Sequence, residues 1–199
     1  MTKNEALFAD ALVTIGAIQF GAFTLSSRIT SPIYIDLSII RSFPDLLNAG
    51  SDLLWMLTKQ LPDFDAIADV PTGATPIVSA IVSKYGIPMI TPRIDKVRSH
   101  EAPIDGVFLE GQRIVVIDDV VTTAGSMLVS ISALEYRKLR VEHACTLVDR
   151  EQGGREALKL AGYQLHTVFS LRKLLNRYRN TEAISRKQYS IIMHYLDNS

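Results

Sequence analysis

The chain has 199 residues, 47% of them hydrophobic and 21% charged, the balance of a soluble globular protein with a substantial core. Its 21 lysines and arginines equal its 21 aspartates and glutamates, so net charge argues for no nucleic-acid partner. A single cysteine, Cys145, excludes an internal disulfide and a cysteine-built zinc site, and no apolar stretch approaches the roughly 20 residues of a membrane helix. The opening MTKNEALFADAL carries acidic residues and lacks the apolar core of a signal peptide, so the expected setting is the cytoplasm.

Apolar residues at Leu7, Phe8, Ala11, Leu12 and Ile15 recur with a helical period and predict a helix over 4–15. Strands are expected over 18–25, with Gly21 as a bend, and over 33–37, separated by the polar loop SSRITSP with Pro32 at its exit. A helix over 44–61 has Ser42 as its expected N-cap and Pro44 in its first turn, and Pro62 stops it. From there strands and helices alternate. Strand 66–70 leads through the turn PTGATP into a helix over 77–85 closed by Gly86. A strand from Met89 ends at Pro92 and gives way to the charged loop 93–106, RIDKVRSHEAPIDG. Strand 114–117 is ended by Asp118 and Asp119, followed by a polar turn over 122–126 and a helix to about 139. Strand 141–148 ends at Asp149 and Arg150, and helix 152–160, strand 164–169 and helices 171–178 and 184–196 complete the chain.

This alternation predicts an α/β fold, a Rossmann-like parallel sheet flanked by helices on both faces. Residues 1–199 are expected to form a single domain, with 1–43 as a small N-terminal hood and 44–199 as the α/β core and C-terminal helices. The basic stretches 172–179 and 186–187 read as solvated helix faces. His143, His166 and His194 have no metal-ligand spacing and read as structural.

In a parallel sheet, ligands bind where the carboxyl end of a strand feeds a helix. The stretch RIVVIDDVVTTAGS, residues 113–126, puts two carboxylates at such an end, before hydroxyls and backbone N–H groups at a helix N-terminus. Carboxylates suit a polyol or a metal, and the helix start suits an anion, so the combination suggests a sugar phosphate. PTGATP lies at another strand end. The loop's Arg93, Lys96, Arg98 and His100 provide countercharge that can close over a pyrophosphate. In DREQGG, Arg150 can recognise a carboxylate through two parallel hydrogen bonds.

VVIDDVVTTAGS resembles the phosphoribosyl pyrophosphate signature of type I phosphoribosyltransferases. With FGAFTLSSRITSPIYID, FDAIADVPTGATP and LVDREQGG, nearly the whole chain resembles the orotate phosphoribosyltransferases. The resemblance implies the type I phosphoribosyltransferase fold and transfer of a phosphoribosyl group from phosphoribosyl pyrophosphate to orotate. The products would be orotidine 5′-monophosphate and pyrophosphate, a step of pyrimidine biosynthesis. It further implies that Asp118 and Asp119 bind the ribose hydroxyls. Val120, Val121, Thr122, Thr123, Ala124, Gly125 and Ser126 would cradle the 5′-phosphate, while Arg93, Lys96, Arg98 and His100 contact phosphoribosyl pyrophosphate from the loop. Lys96, Arg93 and Asp119 would act in catalysis, and Arg150 and Thr122, with Tyr34 and Ile35 along the ring, would hold orotate. Mg2+ would be held through the substrate rather than by the protein directly, and the family's homodimer would share its active site.

Eight positions depart from the family's pattern. Ser26 stands for a lysine, Arg28 for a glycine, and Gly73 for the lysine of some members. Pro92, Arg93, Arg98 and Ser99 alter the loop, and Ala124 replaces a glycine of the phosphate turn, where a methyl disfavours φ > 0 and crowds the ligand. Two other readings fit those departures: a relative that binds phosphoribosyl pyrophosphate or nucleotides as a sensor without turnover, or a transferase for another nucleobase.

Overall fold

The computed structural model describes residues 1–24 and 30–198, so the expectations for Ser26 and Arg28 lie outside the described residues. Helix α1 (Lys3–Thr14) starts with a capping box in which Thr2 and Glu5 satisfy each other's backbone N–H groups. An antiparallel hairpin follows, β1 (Ile18–Thr24) and β2 (Thr30–Ile35), and then a 3₁₀ helix over Leu37–Ser42. Helices α2 (Pro44–Thr58) and α3 (Thr75–Tyr85) flank β3 (Ala66–Asp69), and β4 (Met89–Pro92) and β5 (Ile104–Asp105) come next. The rest runs β6 (Arg113–Val121), α4 (Gly125–Tyr136), β7 (Arg140–Asp149), α5 (Gly154–Leu160), β8 (Gln164–Ser170), α6 (Leu171–Asn180) and α7 (Arg186–Asp197).

Six strands form one sheet in the order β5-β4-β3-β6-β7-β8. All neighbours are parallel except β5, which returns antiparallel to β4. Strand alternation sorts β6 between two cores. Val115 and Ile117 face α1, α2, α3 and α6, whereas Ile114 and Val116 face Met127, Ile131 and Leu134 of α4 and Leu158 of α5. Both faces are therefore covered, as a near-continuous apolar strand requires. The same alternation gives Asp118 and Asp119 to opposite faces, a consequence that governs the site.

Several boundaries differ from expectation for local reasons. Strand β6 does not end at Asp118 and Asp119; its ladder with β7 continues through Val120 and Val121, opposite Val148 and Asp149. Pro32 lies within β2 rather than in a loop, at the register shift between Phe20 and Phe23, where no ladder bond needs its missing N–H. Ser42 does not cap α2. The cap residue is Phe43, with no side-chain hydrogen bond, and Pro44 at the helix start removes one donor that would need capping. Helix α5 begins at Gly154 rather than at residue 152 because Glu151 and Gly153 take left-handed backbone angles, φ 55° and 89°. The basic C-terminal helices are paired inside the chain: Arg172 meets Asp197, Lys173 meets Glu5 and Arg177 meets Asp10.

Candidate active site

Three strand ends converge. At the end of β6, the chain turns into α4 through Ala124, whose φ of 62° and ψ of 12° make it a left-handed N-cap with no side-chain hydrogen bond to the helix. The first N–H groups of α4 therefore lack a side-chain acceptor and stand open to a ligand anion. They border a cavity of about 230 Å³ lined by Asp118, residues 120–127 and Arg98. Positive φ is imposed on an alanine here, at a cost of about 1 kcal/mol. Ala124 is buried in the apolar cluster that contains Val121 and Met127, so its methyl contributes to packing. The expected crowding by that methyl is thus reduced by where the core lies.

Asp118, on the α4 face, accepts the Asp119 N–H at 2.9 Å and lines this cavity. Asp119, on the other face, abuts the turn after β3: a β-carbon at Gly73 would lie 2.7 Å from Asp119 Oδ1. Gly73 is the residue that permits this approach. Neither carboxylate has an ion pair among the described residues. Burial, and then the charge of Asp119 beside it, raise the Asp118 carboxyl well above the ordinary carboxylate range, and burial raises Asp119 as well. Two carboxylates without an ion pair among the described residues, Asp118 buried and Asp119 half-buried, call for hydroxyl donors or a cation.

The turn after β3 is held from below. Buried Asp69 accepts hydrogen bonds from the Thr75 and Thr91 hydroxyls, tying α3 and β4 to the end of β3. Beside this turn a cavity of about 380 Å³ is lined by Arg41, Thr72, Thr91, Arg93 and Asp105. At the end of β7, the Arg150 N–H donates to Val121 O at 2.9 Å and the side chain is buried, 9% exposed. Its Nε and Nη2 have no hydrogen-bond partner among the described residues, an arrangement rare in buried polar groups and suited to a ligand carboxylate. The glycine pair of DREQGG has a packing reason. A β-carbon at Gly154 would lie 2.5 Å from Val121 Cγ1 and 2.7 Å from Thr122 O, so α5 starts directly against the phosphate turn.

The matches to known proteins agree with this geometry. Residues 62–162 match the family model described as a phosphoribosyl transferase domain. An orotate phosphoribosyltransferase of Methanopyrus kandleri is 35% identical over 188 residues, spanning 94% of this chain and 100% of that one. The chain belongs to the orotate phosphoribosyltransferase family. UMP synthase of Leishmania donovani superposes with a TM-score of 0.88 at 34% identity, covering 98% of this chain and 42% of that one. The Mycobacterium tuberculosis orotate phosphoribosyltransferase in complex with 5-phospho-alpha-D-ribosyl 1-diphosphate superposes at 0.72 with 26% identity, covering 86% and 98%.

Against the family pattern, the structure brings together Asp118, Asp119, residues 120–126, Arg98 and Arg150. It does not bring His100 to the phosphate turn: the imidazole lies edge-on to Tyr136, 4.9 Å between centroids, at the far end of α4. Arg93 borders the cavity by the β3 turn, but its guanidinium is engaged by Asp95 at 2.7 Å and Asp105 at 2.8 Å. Lys96 is exposed and makes no ion pair or side-chain hydrogen bond among the described residues. Tyr34 and Ile35 do not share a surface, because alternation along β2 packs Ile35 on the core and turns Tyr34 outward against Phe23. The sequence reading missed Arg41, the Asp69–Thr75–Thr91 group, and the link from Gln152 Nε2 to the Tyr195 hydroxyl at 3.4 Å. A buried-strand aspartate followed by PTGATP could have flagged Asp69; the others depend on tertiary placement.

The buttress formed by α5 is testable. Gly154→Ala should destabilise the protein by about 1–3 kcal/mol through overpacking and raise the KM for phosphoribosyl pyrophosphate by displacing the turn. Thermal unfolding and steady-state kinetics read both effects, and an unchanged KM would show that α5 does not support the cradle.

Proposed function

We propose that this protein transfers the phosphoribosyl group of phosphoribosyl pyrophosphate to orotate, releasing pyrophosphate and forming orotidine 5′-monophosphate. The observation that carries this reading is the buried Arg150 guanidinium, whose Nε and Nη2 have no partner among the described residues, one strand away from an uncapped helix N-terminus flanked by two carboxylates. An anionic base and a sugar phosphate would be held side by side, as joining them requires. The names of the relatives favour the same activity over a sensor without turnover.

In this reading the α4 N-terminus and the hydroxyls of Thr122, Thr123 and Ser126 hold the 5′-phosphate. Asp118 and Asp119 accept from the ribose hydroxyls. Arg150 pairs with the orotate carboxylate, and Thr122 lies where base and sugar meet. As the bond from the anomeric carbon to pyrophosphate breaks and a ring nitrogen bonds to that carbon, positive charge develops on the sugar. The two carboxylates then face that charge from a buried site, where electrostatic stabilisation is strong. Lys96 and Arg93 face the departing pyrophosphate.

Hard oxygen donors without a cationic partner fit Mg2+, which Asp118 and Asp119 would hold through the ribose hydroxyls. When bound it supplies positive charge to the pyrophosphate oxygens. A single domain over residues 1–199, a homodimer sharing its active sites, and residence in the cytoplasm belong to the same proposal. They rest on the family resemblance and on the lone Cys145; no helix among the described residues is long and apolar enough to cross a membrane. The test is direct. Purified protein mixed with orotate, phosphoribosyl pyrophosphate and magnesium should consume orotate absorbance, and no turnover beside an active control enzyme would refute the assignment.

A further inference from the structure

The residues that follow Arg150 tie the C-terminal helix to the end of β7. Asp149 Oδ1 accepts the Glu151 N–H at 2.8 Å, which helps hold the left-handed turn there, φ 55°. Glu151 Oε2 accepts the Arg172 N–H at 2.8 Å, at the start of α6, and Arg172 reaches Asp197 of α7 at 2.8 Å. Gln152 Nε2 donates to the hydroxyl of Tyr195, also on α7, at 3.4 Å. Helix α7 lies against β2, and the half-buried Tyr195 ring packs on the core. Glu151 and Gln152 thus anchor α7 beside the one basic side chain of this segment that points at no protein partner.

Hydrogen-bond accounting leaves the phenol with a donor to spend. A tyrosine hydroxyl accepts through its oxygen and donates one proton. The Tyr195 oxygen accepts from Gln152, and its proton has no acceptor among the described residues. Gln152 Oε1 does not take it, being buried and itself without a partner among those residues. Burial lowers the Arg150 pKa and Tyr195 opposes that shift electrostatically, so phenol and guanidinium lie within each other's field. Tyr195 also lines a cavity of about 580 Å³ between α7 and the hairpin, so it borders open space as well as the core.

We propose that Tyr195 is a further base-binding residue, whose hydroxyl donates to the carboxylate held by Arg150, and that Gln152 is the positioning residue that turns the phenol proton toward it. This rests on the assignment of Arg150 to the orotate carboxylate. A carboxylate offers about four lone-pair sites and a two-pronged guanidinium occupies two of them, so a phenol donor has a place. The carboxylate is then read from two elements, the end of β7 and α7. A base that lacks it leaves donors of both unpaired, which is the stronger kind of discrimination.

Steady-state kinetics with each substrate varied in turn test this in Tyr195→Phe, Gln152→Glu, Arg150→Met and the Tyr195→Phe, Arg150→Met double variant. Phenylalanine keeps the packed ring, so Tyr195→Phe should fold as wild type does. Its KM for orotate should rise about tenfold, with kcat and the KM for phosphoribosyl pyrophosphate within about twofold. In Gln152→Glu the new carboxylate accepts the phenol proton and repels the anionic base, so the orotate KM should rise at least as far. Without Arg150, Tyr195→Phe should change kcat/KM for orotate by less than about threefold, because both residues act on one carboxylate. An unchanged orotate KM in Tyr195→Phe or Gln152→Glu overturns the inference. So does an equal loss for both substrates, or a tenfold effect that persists undiminished without Arg150. Wild-type orotate kinetics in Arg150→Met would instead refute the carboxylate assignment, and this inference with it.

Discussion

Arg150→Met should lower kcat/KM for orotate by about two to three orders of magnitude while leaving the affinity for phosphoribosyl pyrophosphate within about twofold. The magnitude follows from burial. Arg150 is 9% exposed and its Nε and Nη2 are unsatisfied among the described residues, so a carboxylate gains the strength of a desolvated charge-assisted pair. The second expectation has the opposite sign for stability. Burial lowers the Arg150 pKa, although an arginine stays protonated at neutral pH, so the free protein carries a buried cation with no ion pair among the described residues. Methionine of similar length removes that cost, and the variant should melt at the same temperature as wild type or higher. Arg150→Lys should fail nearly as badly as methionine in kinetics, because an ammonium cannot reproduce the planar two-pronged contact. Steady-state kinetics with each substrate varied, together with thermal unfolding, decide the matter. A lower melting point with an unchanged orotate KM would make Arg150 a structural residue.

What the sequence revealed of this site, and what it hid, follows one physical division. Local chemistry was legible. Strand β6 shows itself by four β-branched residues in a row, and Asp118, Asp119 and the turn to Ser126 follow within the same stretch, so the cradle needs no tertiary information. Arg150 was legible for a similar reason, as a charged residue at a strand end before a glycine pair. Side-chain direction was not. Tyr34 and Ile35 are adjacent, and pairing with β1 is what turns one outward and the other into the core. The four basic groups of the charged loop look equivalent in sequence but differ once folded. Asp95 and Asp105 occupy Arg93, Tyr136 holds His100, Arg98 reaches Ser126, and Lys96 makes no ion pair among the described residues. The extension of β6 past its carboxylates was hidden too, because the ladder that prolongs it belongs to β7. Residues that act through a distant partner, such as Gln152 with Tyr195 of α7, lie beyond any local pattern.

Asp118→Asn should separate stability from function in one substitution, raising the melting temperature of the free protein while lowering kcat/KM about 100-fold or more. Asparagine keeps an oxygen for the Asp119 N–H, which Asp118 Oδ1 accepts at 2.9 Å, so the local backbone is preserved. The charge is what changes. Burial and the neighbouring Asp119 raise the Asp118 pKa in the folded state above its value in the unfolded chain, about 4. Between those two values the folded protein binds more protons than the unfolded one, so stability falls as pH rises through that window. Above it the cost of holding the ionised carboxylate is fully present, and below it the cost is absent. Wild type should therefore lose stability from about pH 4 toward neutrality more steeply than Asp118→Asn. At pH 8 the variant should melt higher than wild type, because it carries no carboxylate to ionise in the buried site. Raising magnesium and phosphoribosyl pyrophosphate together should stabilise wild type more than the variant, because the ionised carboxylate is the form the ligand uses. Thermal unfolding from pH 4 to 8, with and without ligand, tests the chain of reasoning at each link. A variant that melts below wild type at pH 8 would mean that the Asp118 charge is already compensated in the free protein.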